Sequence, residues 1–278
     1  MRLLLLLSLL TGPDSLLVVS WNVENFLDYR TDTTGRHTVG RFYQKCNAIA
    51  KTLLLISDRQ NRLPDAVALM EIGDRFVLER LLYATPLRKL DYAIVHYESP
   101  DRRGIDCALL YRRSTLHLRN SERKPLIDSS GAVMRTRDIL LAEFDSLAIL
   151  VNHHPSKVGD DSERRRAVAM DRMCALMDSL AGAGVPRILS VGDFNDDLWH
   201  DGSPGTIKYN GAWEKIDGHF ARGGIQVTES VFADPCLSEP DRSFGGTKPR
   251  RAFIGPRWNG GVSDHYPIVL KIYYICKN

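Results

Sequence analysis

Five apolar runs of this chain end abruptly in acids, amides or imidazoles, and no other feature constrains the fold as strongly. In "VVSWNVENF" the run from Val18 passes straight into Trp21, Asn22, Glu24 and Asn25. "ALMEIGD" sets Glu71 directly after apolar residues. "ILVNHHPSK" offers Asn152, His153, His154, Ser156 and Lys157. "ILSVGDFND" offers Asp193, Asn195, Asp196 and Asp197, and "GGVSDHYPIVL" places Ser263, Asp264 and His265 just ahead of a run. Short apolar runs bounded by turn residues read as buried strands. A carboxylate at such a tip is costly unless something pairs it. Each tip alone has an ordinary explanation: Glu71 as an acid near a helix start, "GDFND" as a turn, His153-His154 as packing. Five together point to one convergent site on loops at strand ends.

The rest of the chain predicts what carries those tips. Val39, Phe42, Cys46, Ile49, Leu53 and Ile56 recur at spacings of three and four, which makes one amphipathic helix. Further helices are expected over 74–83 and 162–181, the latter closed by Gly182 and Gly184. Strands are expected over 16–20, 66–70, 92–96, 107–111, 139–144, 147–152, 187–191 and 268–274, with Asp145-Ser146 as a hairpin turn. Early alternation of helix and strand followed by hairpins means an α/β protein with mixed sheets and helices outside them.

The inventory at the tips narrows the chemistry. Oxygen ligands without thiolates suit Mg²⁺, Mn²⁺ or Ca²⁺. Imidazoles beside such an ion suit proton transfer and charge stabilisation at a phosphoryl group. The chain lacks a Gly-x-Ser-x-Gly elbow and a Gly-x4-Gly-Lys-Ser/Thr loop, which disfavours a serine hydrolase and a P-loop enzyme. The five cysteines are scattered, without a Cys-x-x-Cys pair, so a zinc site is disfavoured and most are expected as small core residues. A net charge of +3 neither demands nor excludes nucleic acid. The basic clusters Arg102-Arg103, Arg164 to Arg166 and Lys248 to Arg251 read either as solvated faces or as the lining of a phosphate site. Arg2 followed by the apolar block Leu3 to Leu10 resembles an export signal and is too short to span a bilayer. Residues 1–14 are therefore expected to be a leader, and the protein to be secreted or periplasmic.

"SWNVENF", "LMEI", "VNHHPS", "VGDFND" and "SDHYPI" stand here in the order used by the endonuclease/exonuclease/phosphatase superfamily, and the chain resembles that family from about Leu16 to Lys271. The resemblance implies the deoxyribonuclease I-like four-layer α/β/β/α sandwich, two packed mixed β-sheets flanked by helices, over residues 15–278. It implies divalent-metal-dependent cleavage of a phosphoester by activated water. Asn22 and Glu71 would hold the Mg²⁺ (Mn²⁺ or Ca²⁺ being the alternatives), with Asp264 nearby. Asp193 and Asn195 would orient water and phosphate, and His153 would bind a non-bridging oxygen. His265 would be general base or electrostatic partner, with Asp217 of "WEKIDGHF" behind it to fix its tautomer. Gly218 departs from the aromatic residue the family sets after that aspartate, and a helix or turn acid is the competing reading of Asp217. Asp106 would orient His153, and His154 would be packing. In the long basic segment 234–259, Arg250, Arg251, Arg257 and Trp258 are candidates for substrate contact, as is Arg103. The expected substrate is a phosphoester, with nucleic acid the leading class and a lipid or small phosphorylated molecule the alternative. A non-catalytic binding member is disfavoured by the complete set of polar tips. The expected state is a monomer without an obligate protein partner.

Overall fold

The computed structural model describes residues 15–198 and 205–275. The expected leader, residues 1–14, lies outside the described residues, as does Cys276. Strands β1 (Ser15–Phe26), β2 (Ala66–Ile72), β3 (Tyr92–His96) and β4 (Asp106–Arg112) belong to a first sheet; β5 (Leu118–Lys124), β6 (Ile139–Phe144), β7 (Ala148–His153) and β8 (Arg187–Asp193) to a second. After the small hairpin of β9 (Ile207–Tyr209) and β10 (Ala212–Glu214), β11 (Asp217–Gly223) joins the second sheet and β12 (Ile225–Val231) the first. Two further hairpins, β13 (Ser238–Pro240) with β14 (Thr247–Pro249) and β15 (Phe253–Ile254) with β16 (Arg257–Trp258), precede β17 (Ile268–Tyr274). The sheet orders are β12-β17-β1-β2-β4-β3 and β11-β8-β7-β6-β5.

Each sheet contains a single parallel pair, β1 with β2 and β7 with β8, and every other pairing within it is antiparallel. A parallel pair needs a long crossover. Helix α1 (Val39–Gln60) supplies the first and α3 (Ser162–Gly182) the second, while α2 (Arg75–Tyr83) follows β2. Four of the five polar tips are therefore the C-terminal ends of the two parallel pairs.

Strand alternation produces three apolar layers. Leu17, Val19 and Trp21 of β1 and Val67 and Leu69 of β2 pack on the α1 stripe of Phe42, Cys46, Ile49, Leu53 and Ile56. Their neighbours Leu16, Val18, Ala66, Ala68 and Met70 point the other way and meet Ile149, Val151, Leu189 and Val191 of the facing sheet. That sheet's far side, with Ala148, Leu150 and Ile188, packs on Ala169, Met173, Leu176 and Met177 of α3. Three cores between four layers make the α/β/β/α sandwich. Each fully buried aliphatic contributes about 1.5–3 kcal/mol.

Some expectations need correction. Val39 opens α1 but is 52% exposed, because the stripe begins at Phe42. Strands β5, β11 and β12 are not among those expected: β5 and β11 carry no buried apolar side chain, and in β12 exposed Gln226, Thr228 and Ser230 alternate with Ile225, Val227 and Val231. Asp217 begins β11 and is neither a helix nor a turn acid. The segment 234–259 is built from a 3-10 turn and two hairpins, not from irregular loop. Among the described cysteines only Cys46 and Cys107 are buried; Cys174 is half-buried and Cys236 exposed.

The start of β2 is fixed by a buried carboxylate. Asp65, fully buried, accepts from the Leu17 N–H at 2.8 Å and pairs with Arg62 at 2.7 Å and Arg112 at 3.5 Å. Asp65→Ala leaves that N–H and two cations without their anion. The expected loss is about 3–5 kcal/mol in urea unfolding. Refolded protein should keep full turnover, because Asp65 lies at the opposite end of the strands from the polar tips.

Candidate active site

The tips of β1 and β2 depart from regular strand geometry together. Glu24, Asn25 and Glu71 adopt left-handed backbone angles (φ 48°, 48° and 64°), and both strands shift register there. Non-glycine residues in this region are held there by their surroundings. The shifts let Glu71 Oε2 accept the Asn25 N–H at 2.7 Å, while Asn22 Oδ1 accepts the Glu24 N–H at 2.9 Å. On the second sheet, Gly192 of "VGDFND" has φ +149°, and a Cβ there would stand 2.0 Å from the Asn152 carbonyl oxygen. Only glycine lets β8 run this close to β7 and deliver Asp193 beside His153.

The two sheets meet at one point. Asn22 Nδ2 donates to Asp193 Oδ2 at 2.9 Å, and the Asn195 N–H donates to Asp193 Oδ1 at 2.9 Å. His153 Nε2 lies 3.7 Å from Asp193 Oδ2 and 3.9 Å from Glu71 Oε1. His265 Nδ1 faces Asp217 Oδ2 at 2.8 Å, and its Nε2 is 3.9 Å from both Asp193 Oδ2 and Asp264 Oδ1. The fifth tip is tied down by Ser263, whose hydroxyl donates to the Asn22 carbonyl and accepts from the His265 N–H. Trp21 Nε1 donates to the His265 carbonyl at 2.9 Å.

Burial sets the electrostatics. It pushes the Asp193 carboxyl up to about 7, reinforced by the Asp217 charge. Burial disfavours charge on His265, but the adjoining Asp217, with Asp193 and Asp264 behind it, outweighs this and lifts the imidazole well above its ordinary value. His153 moves the opposite way: burial, then the charges of Arg137, Arg103 and His265, hold it well below the usual range. The site thus sets a neutral imidazole and a cationic one on either side of one carboxylate.

The other candidates divide. Asp264 accepts from Arg251 at 2.8 Å, and Arg251 also reaches Glu24 at 3.3 Å, so this arginine tethers the acidic rim. Arg103 sits 3.7 Å from Glu71. Asn195 Nδ2 donates to the His154 carbonyl. Arg250 donates to the Asn259 carbonyl at 2.8 Å, and Trp258 packs edge-on against Phe253, so both support their own hairpin region. Asp106 does not orient His153. It lies 3.3 Å from His96 Nε2 and accepts the Ser99 N–H, while His153 Nδ1 has no hydrogen-bond partner among the described residues. The two residues sit on different sheets, and the cross-strand neighbours of Asp106 belong to β2. Gly218 has a local reason: a Cβ there would lie 2.7 Å from Leu198 Cδ1, so Leu198 fills the space.

Two site residues escape sequence reading. Lys45 is buried in α1, its ammonium donates to the Glu24 carbonyl oxygen, and burial pulls it down to about 8 against the pull of Glu24, Glu71 and Asp264. Its signal is a lysine at i+3 from Phe42 inside an apolar stripe. Arg137 is buried against the His154 carbonyl and Asp101.

His154 is packing, as the resemblance implies: its ring stands edge-on to Phe194 at 5.1 Å and neither nitrogen has a partner among the described residues. Burial, aided by Arg137, depresses it to about 3. The folded state therefore keeps His154 neutral while the unfolded chain takes up a proton below about pH 6.5. Between these values the unfolded state binds more protons, so stability falls as pH drops. His154→Leu should flatten that dependence, by roughly 2–3 kcal/mol between pH 7.5 and 4.5 in urea titrations.

The donor set suits a hard divalent cation. Glu71 Oε1 and Asp264 Oδ1 accept no hydrogen bond from the described residues, and Asn22 Oδ1 retains a free lone pair. All three are oxygens. Asp193, Asp217 and His265 also cluster within 4.8 Å. There, however, Nδ1 and Oδ2 already bond to each other, which marks a hydrogen-bonded dyad and not a chelate.

The sequence signature described as "Endonuclease/Exonuclease/phosphatase family" matches residues 18–220, nearly three quarters of the chain and four of the five tips. The chain belongs to this family. The fifth tip, Ser263 to His265, lies beyond the match and is joined to the others by geometry alone. Among solved structures the chain is similar to TDP2 from Caenorhabditis elegans (TM-score 0.60, 16% identity, 93% of this chain and 75% of that one). It is likewise similar to the human Nocturnin catalytic domain with bound sulfate anion (0.60, 17%, 95% and 96%). A third is D. rerio TDP2 complexed with single strand DNA product (0.57, 15%, 93% and 98%). At such identities the likeness concerns the fold, which is of phosphoester-hydrolase type. A search of curated proteins by sequence gives no match.

Proposed function

We propose that this family member is a divalent-metal-dependent phosphodiesterase of nuclease type. The observation that carries the reading is the meeting of Asn22, Glu71 and His265, from the first sheet and the loop that enters it, with His153, Asp193 and Asp217 from the second, within 2.8–3.9 Å contacts. Phosphoesters resist uncatalysed hydrolysis so strongly that charge neutralisation and a positioned nucleophile must both be supplied. Glu71, Asn22 and Asp264 would hold the cation. A bound Mg²⁺ supplies Lewis acidity toward the phosphoryl oxygen and a water of lowered pKa.

The protein's own groups do the remaining work. Asp193, fixed by the Asn22 amide and the Asn195 N–H, orients the attacking water and takes its proton, with the charged His265 beside it. Asp217 holds the His265 ring with Nε2 directed inward and favours its charged form. His153 presents Nε2 to a non-bridging phosphate oxygen, and Arg103 stands beside it to meet developing charge.

Hydrolysis of a panel at fixed Mg²⁺ tests the reading: single-stranded DNA, RNA, sphingomyelin vesicles, and bis(p-nitrophenyl) phosphate. Cleavage of nucleic acid well above the other substrates is expected. Preference for sphingomyelin would move the assignment to a lipid phosphodiesterase. Inactivity on all four, with metal present, would overturn it.

A further inference from the structure

Arginine clusters from separate parts of the chain come together in space beside the catalytic centre. A cleft of about 540 Å³ is lined by Arg102 and Arg103 before β4, Arg135 and Arg137 before β6, and Arg164 and Arg165 in the first turn of α3. Six arginines against three lining aspartates leave a local excess of three positive charges, equal to the formal net charge of the whole chain. The aspartates are committed to local structure. Asp101 accepts the Arg103 N–H at 2.8 Å and pairs with Arg137 at 3.2 Å. Asp128 closes its own turn through the N–H groups of Ser130 and Ala132. Asp161 stands 3.9 Å from Arg164, whose other nitrogen donates to Ser129.

Three guanidinium groups remain. Arg102, Arg135 and Arg165 make no ion pair or side-chain hydrogen bond with the described residues. Arg137 forms the floor: it is buried, it donates to Asp101 and the His154 carbonyl, and its Nε has no partner among the described residues. The N-terminus of the 21-residue helix α3 adds its dipole, and its N-cap Asp161 makes no side-chain cap bond. Arginine's planar fork matches phosphate oxygens two at a time.

The cleft also shares a wall with the catalytic centre. Arg103 lines it, yet its guanidinium lies 3.7 Å from Glu71 Oε1. Arg137 lines it too, and holds the His154 carbonyl next to His153. We propose that this cleft is a second phosphate site, which holds another phosphate of the substrate whose phosphodiester is cut at the centre. The site therefore selects substrates with at least two phosphates. That chemistry belongs to a nucleic-acid strand and equally to a small polyphosphorylated molecule. The assignment rests on the proposed function for the word "substrate", but not for the binding itself.

Binding measured in EDTA separates the two ideas, because no hydrolysis is needed. Fluorescence anisotropy of the full chain with a short labelled oligodeoxynucleotide is one arm; calorimetry with inorganic tripolyphosphate is the other. The triple variant Arg102→Ala/Arg135→Ala/Arg165→Ala should weaken whichever probe the wild type binds by about a hundredfold or more. For the strand, the slope of log K against log[KCl] should shrink by about two, at ~0.7 per lost contact. The Lys triple keeps the charges and should restore most of that slope, which guards against a folding defect. Binding of the strand identifies nucleic acid as the source of the phosphate, and binding of tripolyphosphate alone identifies a small molecule. A triple variant within twofold of wild type, or a wild type that binds neither probe, overturns the site. A cleft that binds in EDTA beside a centre that hydrolyses nothing would retain this site and discard the proposed function.

Discussion

Glu71→Gln lowers turnover on bis(p-nitrophenyl) phosphate by at least about a thousandfold, ~4 kcal/mol of barrier, while the fold and the melting temperature stay close to wild type. The substitution keeps volume and one side-chain oxygen, and it removes the first-sheet charge that faces His153. Glu71 Oε2 is engaged by the Asn25 N–H, so the change falls on Oε1, which faces Arg103 and His153 without a hydrogen bond. The loss should appear as a weaker apparent affinity for Mg²⁺ and a lower kcat, since the same carboxylate would bind the cation in both ground and transition states. Raised Mg²⁺ should recover part of the activity. Unchanged activity at limiting Mg²⁺ would remove Glu71 from the centre.

His265→Ala and Asp217→Asn form the second large effect, about 10²–10⁴ in kcat for each. Their contact is 2.8 Å and buried, so they act as one unit. Groups that act as a unit lose activity non-additively. The double variant should be no slower than His265→Ala alone. Asp217→Asn keeps a hydrogen-bonding side chain at the same position but can set the ring in the wrong tautomer and no longer favours its charge. Its pH–rate profile should therefore shift to lower pH on the side governed by the imidazole, because the anion that raises His265 is gone. Losses that multiply in the double variant would show two independent structural roles instead of a dyad.

Strand tips were legible because their chemistry breaks a simple period. A run such as Ala66 to Met70 must be buried, and Glu71 at its end needs a partner, so the conflict itself marks the site. The helical stripe of α1 was legible for the same kind of reason. Residues were missed where burial and polarity coincide inside a regular element. Lys45 lies within the stripe yet serves the rim of the site, and Arg137 precedes β6 without any pattern around it. Asp106 was read wrongly because sequence gives no register between sheets: β4 pairs with β2 and β3, which turns its first residue toward His96. The distances that unite the fifth tip with the first, through Ser263 and Asn22, span 241 positions and follow only from the packed sandwich.

The central claim is that the centre assembled from both sheets works with one divalent cation, which Asn22, Glu71 and Asp264 would hold. Chelation with add-back measures it most directly. Hydrolysis of bis(p-nitrophenyl) phosphate by purified protein should fall to background in excess EDTA and return with Mg²⁺ or Mn²⁺ after dialysis, in wild type but not, at the same limiting concentration, in Glu71→Gln. Hydrolysis that continues undiminished after exhaustive chelation would contradict the account.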